Sequence, residues 1–122
     1  MAGTERPRPE RHVRGRAGET RAVWWLRLQG FRILARNWRH PLGEIDILAR
    51  RGRLLIAVEV KWRGDLTQAA EAVQAAQRRR IAQAAAVFLG QQARAETLSL
   101  RFDAMLLAPG RWPRHIRDAW RV

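Results

Sequence analysis

Apolar and polar residues alternate with a period of two through the centre of the chain, and on either side the spacing lengthens to three and four. Residues 31–37, 44–50 and 54–62 each read as a strand. His40-Pro41-Leu42-Gly43 separates the first two as a turn, and Arg51-Gly52-Arg53 separates the second and third. Alternation resumes over residues 98–107, a fourth strand that Pro109-Gly110 ends. Helical spacing covers residues 15–29 and the alanine-rich residues 67–89, with Gly30 and Gly90 just beyond the two ends. Residues 111–122 hold Trp112 and Trp120 but no clear period, and there is no internal repeat.

Each helical stripe contains one polar residue. In the first, Glu19, Ala22, Val23 and Leu26 fall at i, i+3, i+4 and i+7. Glu19 then either occupies the first turn, solvated and favoured by the helix dipole, or faces the core and needs a partner. In the second, Val73, Gln77, Ile81, Ala84 and Phe88 form the apolar stripe, so Gln77 is expected to point inward. A buried amide there would seek the charged sheet face or a substrate phosphate, whereas a partly exposed edge would tolerate it without either. Arg78-Arg79-Arg80 beside it could hold a nucleic-acid backbone or form a solvated helical face.

Gly52-Arg53 suits the centre of a two-residue type II′ hairpin. The resulting register sets Arg51 opposite Leu54, Asp46 opposite Glu59 and Glu44 opposite Lys61. Alternation puts Glu44, Asp46, Glu59 and Lys61 on one face and Ile45, Ile47, Val58 and Val60 on the other. Facing carboxylates destabilise a ladder unless a cation lies between them, whether Lys61, an arginine or a metal ion. Oxygen ligands suit Mg2+ or Mn2+, which complete their shells with water and substrate phosphate. Such a set fits phosphodiester hydrolysis, with Lys61 orienting the attacking water or stabilising developing negative charge. A solvated polar face would use the same residues, so the pattern by itself leaves both readings open.

Composition narrows the partners. The 122 residues suffice for one domain, expected over residues 15–122 behind a disordered basic tail at residues 1–14, where Pro7 and Pro9 lie among charged residues. No cysteine is available for disulfides or thiolate metal sites, no run is apolar enough to span a bilayer, and nothing resembles a secretory signal. A cytoplasmic protein with no membrane partner is expected. Twenty-four basic residues against eleven acidic ones give a net charge of +13, which favours a polyanion, nucleic acid above all. All the basic residues but one are arginine, and the exception is Lys61. A compact, rotatable ammonium retained in an arginine-biased chain marks a candidate for chemistry, although chance would also place one lysine somewhere. His12, His40 and His115 have no metal-binding spacing, and no nucleophile elbow or phosphate-binding glycine loop occurs.

Gly18-Glu19, Asn37, Gly43-Glu44-Ile45-Asp46-Ile47, Val58-Glu59-Val60-Lys61-Trp62-Arg63 and Arg101-Phe102-Asp103, in this order, resemble the YraN family over about residues 15–120. That family looks like a small branch of the restriction-endonuclease-like, Holliday-junction-resolvase-like nucleases. The resemblance implies an α/β, restriction-endonuclease-like core in which a mixed sheet is flanked by two helices. It implies that Asp46 and Glu59 bind metal, that Lys61 is the catalytic lysine and that Glu19 is an acidic residue supplied by the first helix. Ile45-Asp46 stands where the superfamily has Pro-Asp, and Gln77 where the family usually carries lysine. Catalytic residues Glu19, Asp46, Glu59 and Lys61 and substrate-binding residues Gln77, Arg78 and Arg79 are the resulting candidates. The function implied is a metal-dependent, endonuclease-like protein using Mg2+ or Mn2+ and acting on DNA more than RNA, with branched or damaged structures as candidate substrates. A non-catalytic nucleic-acid-binding module of the same fold and an RNA or protein assembly subunit are the alternatives.

Overall fold

The computed structural model describes the backbone of residues 9–62 and 68–121 and the side chains of residues 19–62 and 75–121. Helix α1, Pro9–Leu28, is followed by strands β1, Arg32–His40, β2, Gly43–Arg51, and β3, Leu54–Trp62. Helix α2, Gln68–Gly90, and a short 3-10 turn at Ala95–Thr97 lead to β4, Ser99–Leu107, and β5, Arg114–Ile116. The five strands form one sheet in chain order. Every neighbouring pair is antiparallel except β3 and β4, which run parallel. A parallel pair cannot be joined by a tight turn, so α2 lies between them in sequence as the crossover.

Each helix covers one face of this α/β sheet. Ala22, Val23 and Leu26 of α1 pack on Ile47, Ala49, Ile56, Val58, Met105 and Leu107. On the other face Ile81, Ala84, Ala85 and Phe88 of α2 pack on Ile45, Leu48, Leu55 and Ala57. The centre of the sheet is therefore apolar on both sides, which explains the unbroken apolar run from Leu54 to Val58. Gly43 lets α2 approach closely, because a Cβ there would lie 2.8 Å from the Arg80 carbonyl oxygen. Gly52 opens the β2–β3 turn with φ 63°, the positive value that the first central residue of a type II′ turn requires.

Some expectations change. Helix α1 begins at Pro9, well before residue 15, and a proline in the first turn is compatible with that start because its missing N–H would have no intrahelical partner. Glu19 is consequently an interior helical residue and faces the core. Gln77 does not point inward but is exposed, while Ile81, Ala84 and Phe88 of the same stripe are buried. The aperiodic tail contributes β5, whose three residues are too few for a periodic signal. Residues 1–8, Arg63 and Thr67 lie outside the described residues, as does the side chain of Val73.

Strand β5 is fastened by Asp103, which is fully buried. The carboxylate accepts hydrogen bonds from Arg101 Nε and Nη2, both at 2.8 Å, from His115 Nε2 at 2.7 Å and from the Asp118 main-chain N–H at 2.9 Å. His115 Nδ1 faces the Gln29 amide at 3.1 Å, linking the network to the end of α1. Burial raises the acid's pKa, but the hydrogen bonds from Arg101, His115 and Asp118 together outweigh it and hold the pKa at about 2. Because the folded value lies below the unfolded one, the contribution to stability is complete above about pH 4 and is lost as pH falls toward 2. Asp103→Ala strands Arg101 and His115 without their acceptor, and urea unfolding at pH 7 is expected to show a loss of about 3–5 kcal/mol. A loss below about 1 kcal/mol, the size of an exposed ion pair, would show that the network is dispensable.

Candidate active site

The β2–β3 ladder keeps the expected register from Arg51↔Leu54 to Ile47↔Val58 and then stops. Bonded pairs recur at every second position, so continued pairing would direct the Val60 N–H to the main-chain carbonyl of Ile45. Instead it donates to Asp46 Oδ2 at 2.8 Å. The carboxylate thus replaces a main-chain acceptor, and the expected pairs Asp46–Glu59 and Glu44–Lys61 do not form. Repulsion between directly opposed carboxylates favours this departure.

The β1 side is interrupted at the same place. Arg36 pairs with Ile47 and Trp38 with Ile45, while Asn37 between them takes a left-handed φ of 50°. Asparagine tolerates that region better than most residues, but in a strand it remains a strained choice costing on the order of 1–3 kcal/mol. The double interruption turns the strand. Ile45 packs with Leu48 on the α2 face, whereas Ile47, Val58 and Val60 lie on the α1 face, so the expected division of all four onto one face fails at Ile45.

Four elements bring charged groups to this break. From α1, Glu19 is only 9% exposed and accepts from Asn37 Nδ2 at 2.7 Å, with Arg36 Nη2 3.7 Å away. From β3, Glu59 is equally buried and its Oε2 lies 3.6 Å from Lys61 Nζ. Asp46 and Glu59 line one cleft of about 40 Å³ together with Glu44, Ile45, Gln77 and Ile81. Gln77 therefore reaches the rim of the site from α2 despite being exposed. Arg78 turns to Trp120, with its guanidinium carbon 5.5 Å from the ring centroid, and Arg79 is exposed.

Charge at the site is unbalanced toward the negative. Loss of hydration is the largest influence on Asp46 and raises its pKa; the Val60 N–H lowers it, and repulsion from Glu59, Glu19 and Glu44 raises it further, to about 6. The ammonium of Lys61 sits nearer Glu59, and the Arg36 guanidinium nearer Glu19. Among the described residues no three histidine, aspartate or glutamate side chains are arranged to hold one metal ion together. The available donor set is the carboxylate pair Asp46 and Glu59.

Asn37 and Arg36 were not among the candidate residues, yet both hold Glu19. Asparagine is disfavoured inside strands, and its position in an otherwise apolar and arginine-rich run was the available signal. The left-handed turn itself depends on contacts with α1 that no local pattern contains.

The model of the family described as "Uncharacterised protein family UPF0102" matches residues 18–107, a span that includes every element of this site. A UPF0102 protein of Parvibaculum lavamentivorans is 52% identical over 107 residues, covering 88% of this chain and 80% of the relative. One of Nitrobacter winogradskyi is 51% identical over 106 residues, covering 87% and 90%. Another, of Paramagnetospirillum magneticum, is 47% identical over 113 residues, covering 89% and 88%. Identity at this level over nearly the whole length shows that the chain belongs to UPF0102, the YraN family.

Proposed function

We propose that the protein is a metal-dependent nuclease-like phosphodiesterase acting on nucleic acid, DNA in preference to RNA. The observation that carries this reading is the close placement of Asp46 and Glu59 on one cleft, with Lys61 beside Glu59 and, among the described residues, no ion pair to Asp46. A pure binder of polyanions gains nothing from half-buried carboxylates facing its ligand. Two carboxylates and a confined, negatively biased cleft fit Mg2+ or Mn2+, which take few protein ligands and keep several waters. When bound, such an ion supplies neutralisation of the carboxylates and polarisation of a phosphate oxygen.

The protein's own groups divide the remaining tasks. Asp46, held by the Val60 N–H, and Glu59 fix the ion's position on two different strands. Lys61 donates toward the attacking water or the scissile phosphate, where negative charge grows as a new P–O bond forms and the ester P–O bond breaks. Glu19 stands behind them, oriented by Asn37 and Arg36. Arg36, Arg39, Arg79 and Arg80 are exposed on β1 and α2, on two of the elements that border the site, and suit phosphate contacts outside it.

A cleavage screen over single-stranded, duplex, flap and four-way DNA with Mg2+ or Mn2+ tests the reading directly. Binding without cleavage of any substrate, at any metal concentration tried, would favour the non-catalytic module. Calorimetric titration with Mn2+ should show binding that weakens sharply in Asp46→Asn and Glu59→Gln; parent-like affinity in both would remove the paired-carboxylate site.

Metal-free protein offers a second check. The folded pKa of Asp46 is raised, so the native state holds the extra proton between 3.8 and about 6, and stability falls as pH rises through that window. Asp46→Asn keeps an oxygen for the Val60 N–H but loses the charge. With a chelator at pH 7.5, the variant is expected to be more stable than the parent by about 1–3 kcal/mol in urea unfolding, the scale of a shift of this size reduced for partial solvation. At pH 4 the two should converge, and a gap that does not depend on pH would contradict the assigned electrostatics.

Lys61→Arg separates charge from geometry. The planar guanidinium preserves the charge but misplaces its donors, and such displacement near a reacting centre costs on the order of a hundredfold in rate. The variant should fold and bind metal as the parent does, yet lose most cleavage of whichever substrate the screen identifies. Full activity would show that only a positive charge is needed there.

A further inference from the structure

Two tryptophans are exposed on the α1 side of the molecule, where the core gives them no role. Trp24 on α1 is 59% exposed and Trp112 in the β4–β5 loop 80%, and Leu28 beside them is 74% exposed. They border an open groove of about 550 Å³ between α1 and residues 110–113. The loop is tied down: Arg21 donates to the main-chain carbonyls of Ala108 and Arg111, and Trp25 meets Trp112 with ring centroids 5.7 Å apart. The aromatic surface is thus built from fixed parts.

We propose that this groove binds a single-stranded segment of nucleic acid, with bases stacking on Trp24 and Trp112 and phosphates meeting Arg21, Arg27 and Arg111. Exposed aromatic faces interleaved with cations are what such a strand requires, because every base has a π face and every linkage a charge. Arg27 lies over the Trp24 ring, its guanidinium carbon 5.7 Å from the centroid. The described residues lining the groove include Arg21 and Arg111 and no carboxylate. That charge also decides against the simplest alternative occupant, a second copy of this chain, since two molecules of net charge +13 would meet through like-charged faces.

The groove reaches the end of β3 on the α1 face of the sheet. The Arg21 guanidinium carbon is 6.0 Å from the centroid of Trp62, the residue after Lys61, and Trp24 follows Glu19 by little more than one turn of α1. A strand stacked on the tryptophans therefore meets the end of β3 on the α1 face, where Trp62 packs, while the Lys61 side chain beside it projects from the other face. The inference rests on the reading of nucleic acid as substrate and narrows it to substrates with an unpaired arm, such as flaps and frayed junctions.

Fluorescence anisotropy with a labelled oligothymidylate of about 12 nucleotides, within the usual range of single-strand site sizes, tests it against a labelled duplex. Trp24→Ala/Trp112→Ala removes the two exposed rings together with the Trp25–Trp112 contact, while Arg21 still holds the loop, and circular dichroism checks that the fold is kept. The single strand is expected to bind the double variant about tenfold or more weakly, in line with the loss of base stacking, while duplex affinity changes less than about twofold. Unchanged affinity for the single strand overturns the proposal, as does equal weakening of both ligands. Sedimentation showing a dimer of the parent that the variant cannot form also overturns it, in favour of self-association. A parent that binds neither ligand defeats the nucleic-acid reading itself, whereas selective loss without any cleavage sustains this site and defeats only catalysis.

Discussion

One hydrogen bond, from the Val60 N–H to Asp46 Oδ2, sets the form of the site. A sheet stays regular while main-chain donors find main-chain acceptors, and a side-chain oxygen that takes one of those donors ends the ladder where it does so. Asp46 does this at the point where the next pair would oppose two carboxylates. The strands separate, Ile45 turns to the α2 face, and a cleft opens between β2 and β3. On the far side of the sheet β3 keeps its pairing with β4 through Trp62, so Glu59 and Lys61 remain on a firmly held strand. The gap thus lies between one strand that bends and one that cannot, an arrangement suited to holding a reacting group.

The same break concentrates cost. Asn37 is held in a left-handed conformation, Glu19 is buried, and Asp46 is pushed toward its neutral form. None of these choices helps folding, and each contradicts the propensity or pattern around it. Such conflicts gathered around Asp46 are what the proposed functional site would require. The stability that offsets them comes from two apolar clusters on opposite faces and from the Asp103 network at the other edge of the sheet.

Much of this could be read from local pattern. Leu54–Trp62 is the strand expected between the Arg51-Gly52-Arg53 turn and the second helix, and the Gly52-Arg53 turn sets the observed register over its first five pairs. The stripe of Glu19, Ala22, Val23 and Leu26 is buried as a unit. What escaped depended on groups distant in sequence. Alternation assumes an unbroken pleat, so it assigned Ile45 to the face of Ile47 and missed the turn between them. Gln77 follows its stripe faithfully, yet the stripe extends past the area of sheet that α2 covers, which leaves the amide at the rim. His115 had no partner spacing to reveal it, because its partner Asp103 lies on the neighbouring strand.

The placement of charge gives the arrangement its logic. The chain carries 24 basic residues and only eleven acidic ones, yet three of those eleven, Glu19, Glu44 and Glu59, act by repulsion on a fourth, Asp46. Arginine is plentiful, and Arg36 and Arg39 approach Glu19 and Glu44, but among the described residues no arginine pairs with Asp46 or Glu59. The cation that approaches Glu59 is the one compact ammonium in the sequence. A polyanion drawn in by the surrounding arginines would meet repulsion at this point, since its phosphate and the carboxylates carry the same sign. Under the proposed function, only a further cation between them converts that repulsion into attraction on both sides, which is why a phosphate-handling role for this cleft goes together with a metal ion and not with the arginine surface alone.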